Sequence, residues 1–202
     1  KANKLGLKYC EIGHGLGIGA YRNKFSRSKI SDRSLIKVVN SLNLKTKVGF
    51  FAQPKFFNNK DLRDLADSKI DFVRLGVFPQ HFKDLYKPIE FLLQNKKEVF
   101  VFFMQTPRDT PILLRKKVKN ICENFDIKNF YIVDSTGSMF FEDIYKYYRS
   151  IQSLGKSIRI GFHGHNNLGI ANNNTYKCIE KWFAFLDGSF MGIGRGAGNA
   201  CL

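Results

Sequence analysis

The stretch "GFHGHNNLGIANNNT", Gly161 to Thr175, sets two of the chain's four histidines one residue apart. They stand at the end of an apolar run and ahead of a polar, helix-opening segment. Side chains two apart in a strand point to the same face. His163 and His165 therefore aim two imidazoles at one point, which is how a strand offers two nitrogen ligands to a metal. A strand end thus meets a helix start at a chemically useful place.

Outward from this stretch, the same junction recurs. Short apolar runs are each followed by a polar turn and an amphipathic stretch. The runs are "LKYCEIG" ending near Gly13, "KVGFFA" ending at Ala52, "DFVRLGVF" ending at Phe78 and "EVFVFFM" ending at Met104. "NFYIVD" ending at Asp134, "IRIGFHGH" ending at His165 and "FAFLDGSF" ending at Phe190 complete the series. The stretches between them suit helices. In "SDRSLIKVVNSL", Ser31 or Asp32 offers an N-cap, and Leu35, Ile36, Val39 and Leu42 share one face.

Near-continuous apolar strands alternating with helices argue an α/β fold with a parallel sheet covered on its outside. Two architectures compete, the doubly wound open sheet and the (β/α)8 TIM barrel. Polar residues end many different strands: Glu11, Arg74, Gln105, Asp134 with Ser135, His163 with His165, and Asp187 with Ser189. A doubly wound sheet would gather them at one switch point, so the barrel is expected. Residues 1–202 read as a single barrel domain, one strand short of eight.

Composition sets the outer limits. The chain is 44% hydrophobic with 20 Phe, which makes it globular rather than disordered. It holds no apolar run of the roughly 20 residues that span a bilayer and no signal-peptide pattern, so no membrane is expected. Cys10, Cys122, Cys178 and Cys201 show no paired spacing and read as reduced thiols of a cytoplasmic protein. A net charge of +16 invites a nucleic-acid reading. However, "LRKKVKN" and "LQNKKEVF" sit where outer helices and their exits belong, and there is no nucleic-acid motif. The lysines read as solvated helix faces, and no nucleic-acid partner is expected.

The glycine-rich stretches "EIGHGLGIGA" (Glu11 to Ala20) and "GIGRGAGNA" (Gly192 to Ala200) are not dinucleotide loops. The first is not an intact GxGxxG opening a helix, and neither is trailed by an acidic residue at the right distance. Glycine loops that bring backbone close to a ligand are the better reading. Taken in order, "EIGHGLGIGA", "YIVDSTGSM", "GFHGHNNLGIANNNT" and "LDGSFMGIGRGAGNA" resemble the strand-end motifs of metal-dependent aldolases of the 4-hydroxy-2-oxovalerate aldolase type. That type lies within the superfamily of HMG-CoA lyase and isopropylmalate synthase.

The resemblance implies a divalent metal, Mn2+ before Mg2+, Co2+ or Zn2+, held by the two histidines and an aspartate. It implies a lyase cleaving a 4-hydroxy-2-oxo acid to pyruvate and an aldehyde, with the metal stabilising the enolate. It also implies an Asp and a neighbouring Arg on a first strand ahead of Lys1, and a helical segment beyond Leu202. The chain therefore reads as a fragment lacking the first strand and the post-barrel helical region. A homo-oligomer and an aldehyde dehydrogenase partner are implied by the resemblance alone.

Individual residues follow. His163 and His165 are the expected metal ligands, with His163 also catalytic and nearer the substrate; Asn199 in "GAGN" is a further candidate ligand or ligand support. Glu11 matches an acidic catalytic position, orienting the absent Arg or a metal-bound water, and equally suits a buried ion pair. Ser135 matches a position that contacts the substrate carboxylate. Arg74 is a substrate-binding candidate or an ion-pair partner of Glu11 or Asp134. Asp134 itself could cap its strand, and His14 is a proton carrier or, preferably, a loop histidine. Arg195 stands where the aldolases have a small residue, either to meet an anionic group or to reach solvent; Cys201 stands where they have Pro. The rival functions are a Claisen-condensing acyl-CoA synthase or HMG-CoA lyase-like enzyme on the same scaffold, an inactive truncated barrel, and a non-enzymatic basic module.

Overall fold

The structure is a computed structural model that describes residues 2, 4–24 and 27–201. Lys1 and Leu202, the ends of the expected domain, lie outside them. The strands are β1 (Tyr9–Ile12), β2 (Lys47–Ala52), β3 (Phe72–Val77), β4 (Glu98–Phe103), β5 (Asn129–Asp134), β6 (Arg159–Gly164) and β7 (Phe185–Leu186). Between them lie α1 (Asp32–Ser41), α2 (Asn59–Ala66), α3 (Tyr86–Gln94), α4 (Pro111–Asn124), α5 (Phe141–Gln152) and α6 (Ala171–Glu180). The strands follow one another in chain order in one sheet, and β1–β2, β2–β3, β5–β6 and β6–β7 pair in parallel. Parallel neighbours in sequence order require a crossover between each pair, and the helices supply it.

Each crossover carries its own start signal. Ser31 caps α1 by accepting the Ser34 N–H, and Asn58 with Asp61 forms a reciprocal capping box on α2. Thr110 caps α4, where Pro111 takes the first turn, which needs no N–H donor. β2 to β5 bury nearly every residue: all six positions of β5 are buried, and β2, β3 and β4 each bury five. Burial of one such Phe or Ile contributes about 1.5–3 kcal/mol.

The chain groups into two compact units. The first comprises Lys1–Gly76 and Lys83–Phe100. Here Tyr9, Phe72 and Phe100 meet edge to face at centroid distances of 5.4 to 5.5 Å, and the Tyr9 hydroxyl donates to Glu98. Lys97 spans the α2–β3 turn by donating to the Ser68 and Ile70 carbonyls at 2.7 and 2.9 Å, and its burial lowers its pKa. The second unit comprises Val77–Phe82 and Val101–Leu202. Thr106, fully buried, donates to the Phe103 carbonyl and accepts from the Val133 N–H, which ties the exit of β4 to β5.

Three expectations are corrected. The last strand does not reach Phe190: β7 is two residues long, and Phe190–Gly192 forms a turn with Met191 at φ 60°. The β6 ladder ends at Gly164, and His165 instead pairs antiparallel with Asn199. Leu42 is exposed at the end of α1, since the helix stops at Ser41 before its face is completed; Ile36 and Val39 are buried as expected. Among the described residues no helix is long and apolar enough to cross a membrane.

Candidate metal and substrate site

In the second unit, β6 carries His163 outward to its C-terminal end, with His165 just beyond. The two rings lie 5.2 Å apart, edge to face, on one side of the chain. The His163 side chain is 16% exposed and its Nδ1 sits 2.9 Å from Asp187 Oδ2. His165 Nδ1 sits 3.1 Å from the Arg195 carbonyl oxygen. A carboxylate and a carbonyl are acceptors, so each Nδ1 carries a proton. Burial lowers the His165 pKa, as does the neighbouring His163, and the Arg195 carbonyl offsets only part of this. Neutral imidazole is the form that ligates.

Asn199 is the third feature. Its Oδ1 is buried and has no hydrogen-bond partner. Such an orphan costs about 1–3 kcal/mol unless a partner such as a cation takes its lone pair. The chain returns to bring it here: Ala200 N–H donates to the Gly164 carbonyl, Asn166 N–H to Gly198, and Asn199 N–H to Gly192. Gly194 lies against the Asn199 carboxamide so closely that a β-carbon would overlap it. These glycines therefore serve a close approach of backbone to side chain. The Arg195 side chain is exposed, and it is the backbone of this residue that holds His165.

The "DSTG" turn after β5 supports the pair from the other side. Asp134 is buried and accepts from Ser138 N–H, Met139 N–H and the Thr136 hydroxyl, so it caps the strand. Its carbonyl accepts the His165 N–H at 3.1 Å. The Ser135 hydroxyl accepts from Gln105 N–H at 2.9 Å, which leaves its own proton to donate.

The first unit holds Glu11 and Arg74. Arg74 Nε on β3 donates to Glu11 Oε2 on β1 at 2.5 Å. Of the partners expected for Arg74, it meets Glu11. His14 accepts the Leu16 N–H through Nδ1, the arrangement of a loop histidine.

Two imidazole nitrogens and an orphaned amide oxygen suit a divalent cation of intermediate softness. Among the described residues no three His, Cys, Asp or Glu converge as a complete ligand set. Sequence reasoning noted Asp187 as a strand-end residue but gave it no task, and it passed over Tyr131 and the Arg195 carbonyl. Spacing carries no signal for a backbone acceptor or for a contact between β5 and β7.

The HMGL-like family model matches residues 78–202. Among curated relatives, the chain is 30% identical over 194 residues to the oxaloacetate decarboxylase of Mycobacterium tuberculosis, covering 96% of this chain and 56% of the relative. It is 28% identical over 207 residues to the 4-hydroxy-2-oxovalerate aldolase of Thermus thermophilus, covering 99% and 57%. The chain thus spans a little over half the length of these relatives. Among solved structures, the HMG-CoA lyase of Bacillus subtilis superposes with a TM-score of 0.78 at 16% identity, covering 98% of this chain and 73% of that one. The carboxyl transferase domain of Rhizobium etli pyruvate carboxylase, solved with pyruvate, gives 0.79 at 11% identity, covering 97% and 35%. These likenesses carry the fold alone, an α/β fold of the barrel class, with seven successive strands among the described residues.

Proposed function

The chain belongs to the HMGL-like family, and on that premise we propose that it serves a divalent-metal-dependent lyase cleaving a 4-hydroxy-2-oxo acid to pyruvate and an aldehyde. The observation that carries the reading is the pair of edge-to-face imidazoles, each with Nδ1 held by an acceptor, together with the orphaned Asn199 oxygen on the residue that pairs with His165. His163, His165 and Asn199 would hold the metal, with Mn2+ the first candidate. A bound divalent metal supplies a Lewis acid for the charge left on the 2-oxo oxygen as the C3–C4 bond breaks.

The chain's own groups bind and orient. Ser135 donates its free proton to the carboxylate of the 2-oxo acid, fixed in direction by the Gln105 N–H it accepts. Asp187 and the Arg195 carbonyl hold the two imidazoles in the ligating tautomer. In the first unit, taken by itself, Glu11 orients the Arg74 guanidinium. Loss of CO2 from a 2-oxo-4-carboxylate such as oxaloacetate leaves the same enolate, and the similarity to an oxaloacetate decarboxylase favours it as a second activity.

The test is pyruvate release from 4-hydroxy-2-oxo acids and from oxaloacetate with added Mn2+. Turnover is expected to fall on chelation and in His163→Ala. Release that survives both would refute the reading.

A further inference from the structure

We propose that Tyr131 is a positioning residue that sets the orientation and tautomer of His163 through Asp187. The proposal rests on the metal reading of the histidine pair. Tyr131 lies on β5 and Asp187 just past β7, with β6 between them. The register places Tyr131 beside Gly161, and Gly161 beside Phe185. An aromatic ring crosses an intervening strand only where that strand offers no side chain. Gly161 meets the condition: a β-carbon there would lie 2.7 Å from the Tyr131 ring. The ring crosses, stacks on Phe185 at 6.1 Å and 20°, and brings its hydroxyl to Asp187 Oδ1 at 3.0 Å.

The second carboxylate oxygen is the one at His163. Asp187 Oδ2 takes the Nδ1 proton at 2.9 Å. With Oδ1 held by the tyrosine, the carboxylate plane is fixed, and the imidazole is fixed with it. Tyr131 is buried to 5% exposure, and Phe would fill nearly the same space. Its hydroxyl is therefore the part that serves the histidine rather than the packing. Partners of this kind change metal affinity by about 10–100-fold when removed.

Mn2+ titration followed by electron paramagnetic resonance tests the proposal on wild type, Tyr131→Phe, Asp187→Ala and the double variant. Tyr131→Phe is expected to weaken Mn2+ binding about 10-fold and to leave the thermal midpoint nearly unchanged. In the Asp187→Ala background, removing the hydroxyl should add nothing, since the path runs through that carboxylate. Gly161→Ala keeps the hydroxyl but displaces the ring, and is expected to weaken binding likewise. Nitrogen-15 NMR of the metal-free protein should show His163 losing its uniform Nδ1–H tautomer in Tyr131→Phe. Wild-type affinity retained in Tyr131→Phe, or additive losses in the double variant, would overturn the proposal while leaving the metal reading intact. A wild-type protein that binds no Mn2+ would overturn both.

Discussion

Gly137 and His165 approach so closely that a β-carbon on Gly137 would lie 2.7 Å from the His165 carbonyl oxygen. Gly137 also sits at φ 63°, which disfavours a side chain independently. This contact clamps the turn after β5 to the exit of β6, where the histidines stand. Leu168 N–H donates to the Gly137 carbonyl and closes the clamp. Gly137→Ala should lower stability by at least about 2 kcal/mol, the sum of a left-handed Ala and a backbone overlap. Urea unfolding measures it, and a loss below about 0.5 kcal/mol would mean the approach is not that close.

Gly194 plays the corresponding part for Asn199. Its β-carbon would overlap the carboxamide, and the loop around it is exposed. Gly194→Ala is therefore expected to displace the amide and weaken Mn2+ binding about as much as Asn199→Ala does, on the order of 10-fold. The thermal midpoint should move little. Calorimetric titration separates the two effects, and full metal affinity in Gly194→Ala would remove Asn199 from the ligand set.

The Glu11–Arg74 pair predicts a stability effect rather than a binding one alone. The Arg74 side chain is 11% exposed, so a guanidinium without its carboxylate partner sits in a poor solvent. Glu11→Gln should cost about 1–3 kcal/mol. Part of that loss should vanish when Arg74 is replaced by Met, because the charge left behind is then gone. Equal losses in both backgrounds, measured by urea unfolding, would show the pair to be uncoupled.

Acid sensitivity follows from Asp61. Burial raises its pKa, but the two hydrogen bonds from Arg22, at 2.6 and 2.8 Å, and the Asn58 N–H outweigh it, and the net shift is downward. A carboxyl with a depressed folded-state pKa contributes stability above its unfolded value of about 3.9 and loses it as pH falls through the folded value. The stability difference between wild type and Asp61→Asn should be constant above about pH 5 and shrink below about pH 4. A difference that grows on acidification would reverse the assignment.

Much of the fold was legible in the sequence for a physical reason. β2 and β5 match the apolar runs "KVGFFA" and "NFYIVD" residue for residue, because buried parallel strands exclude polar residues until their ends. Ser31 was legible as a cap because its hydroxyl acts within one turn. The short β7 was not legible. "FAFLDGSF" is apolar enough for a longer strand, but the returning segment pairs Ser189 with Cys201 and turns the chain at Met191. That is a tertiary effect with no local signature. The histidine pair was readable from its spacing alone, whereas its supports were not. Tyr131 and Asp187 are 56 residues apart, and Arg195 acts through an atom every residue possesses.

The central claim is that His163 and His165 ligate one divalent metal through Nε2. Pulsed electron paramagnetic resonance of Mn2+ bound to protein labelled with nitrogen-15 histidine measures this directly. Hyperfine coupling to two imidazole nitrogens is expected in the wild type, and to one in His163→Ala and in His165→Ala. Tightly bound Mn2+ with no imidazole coupling would contradict the claim.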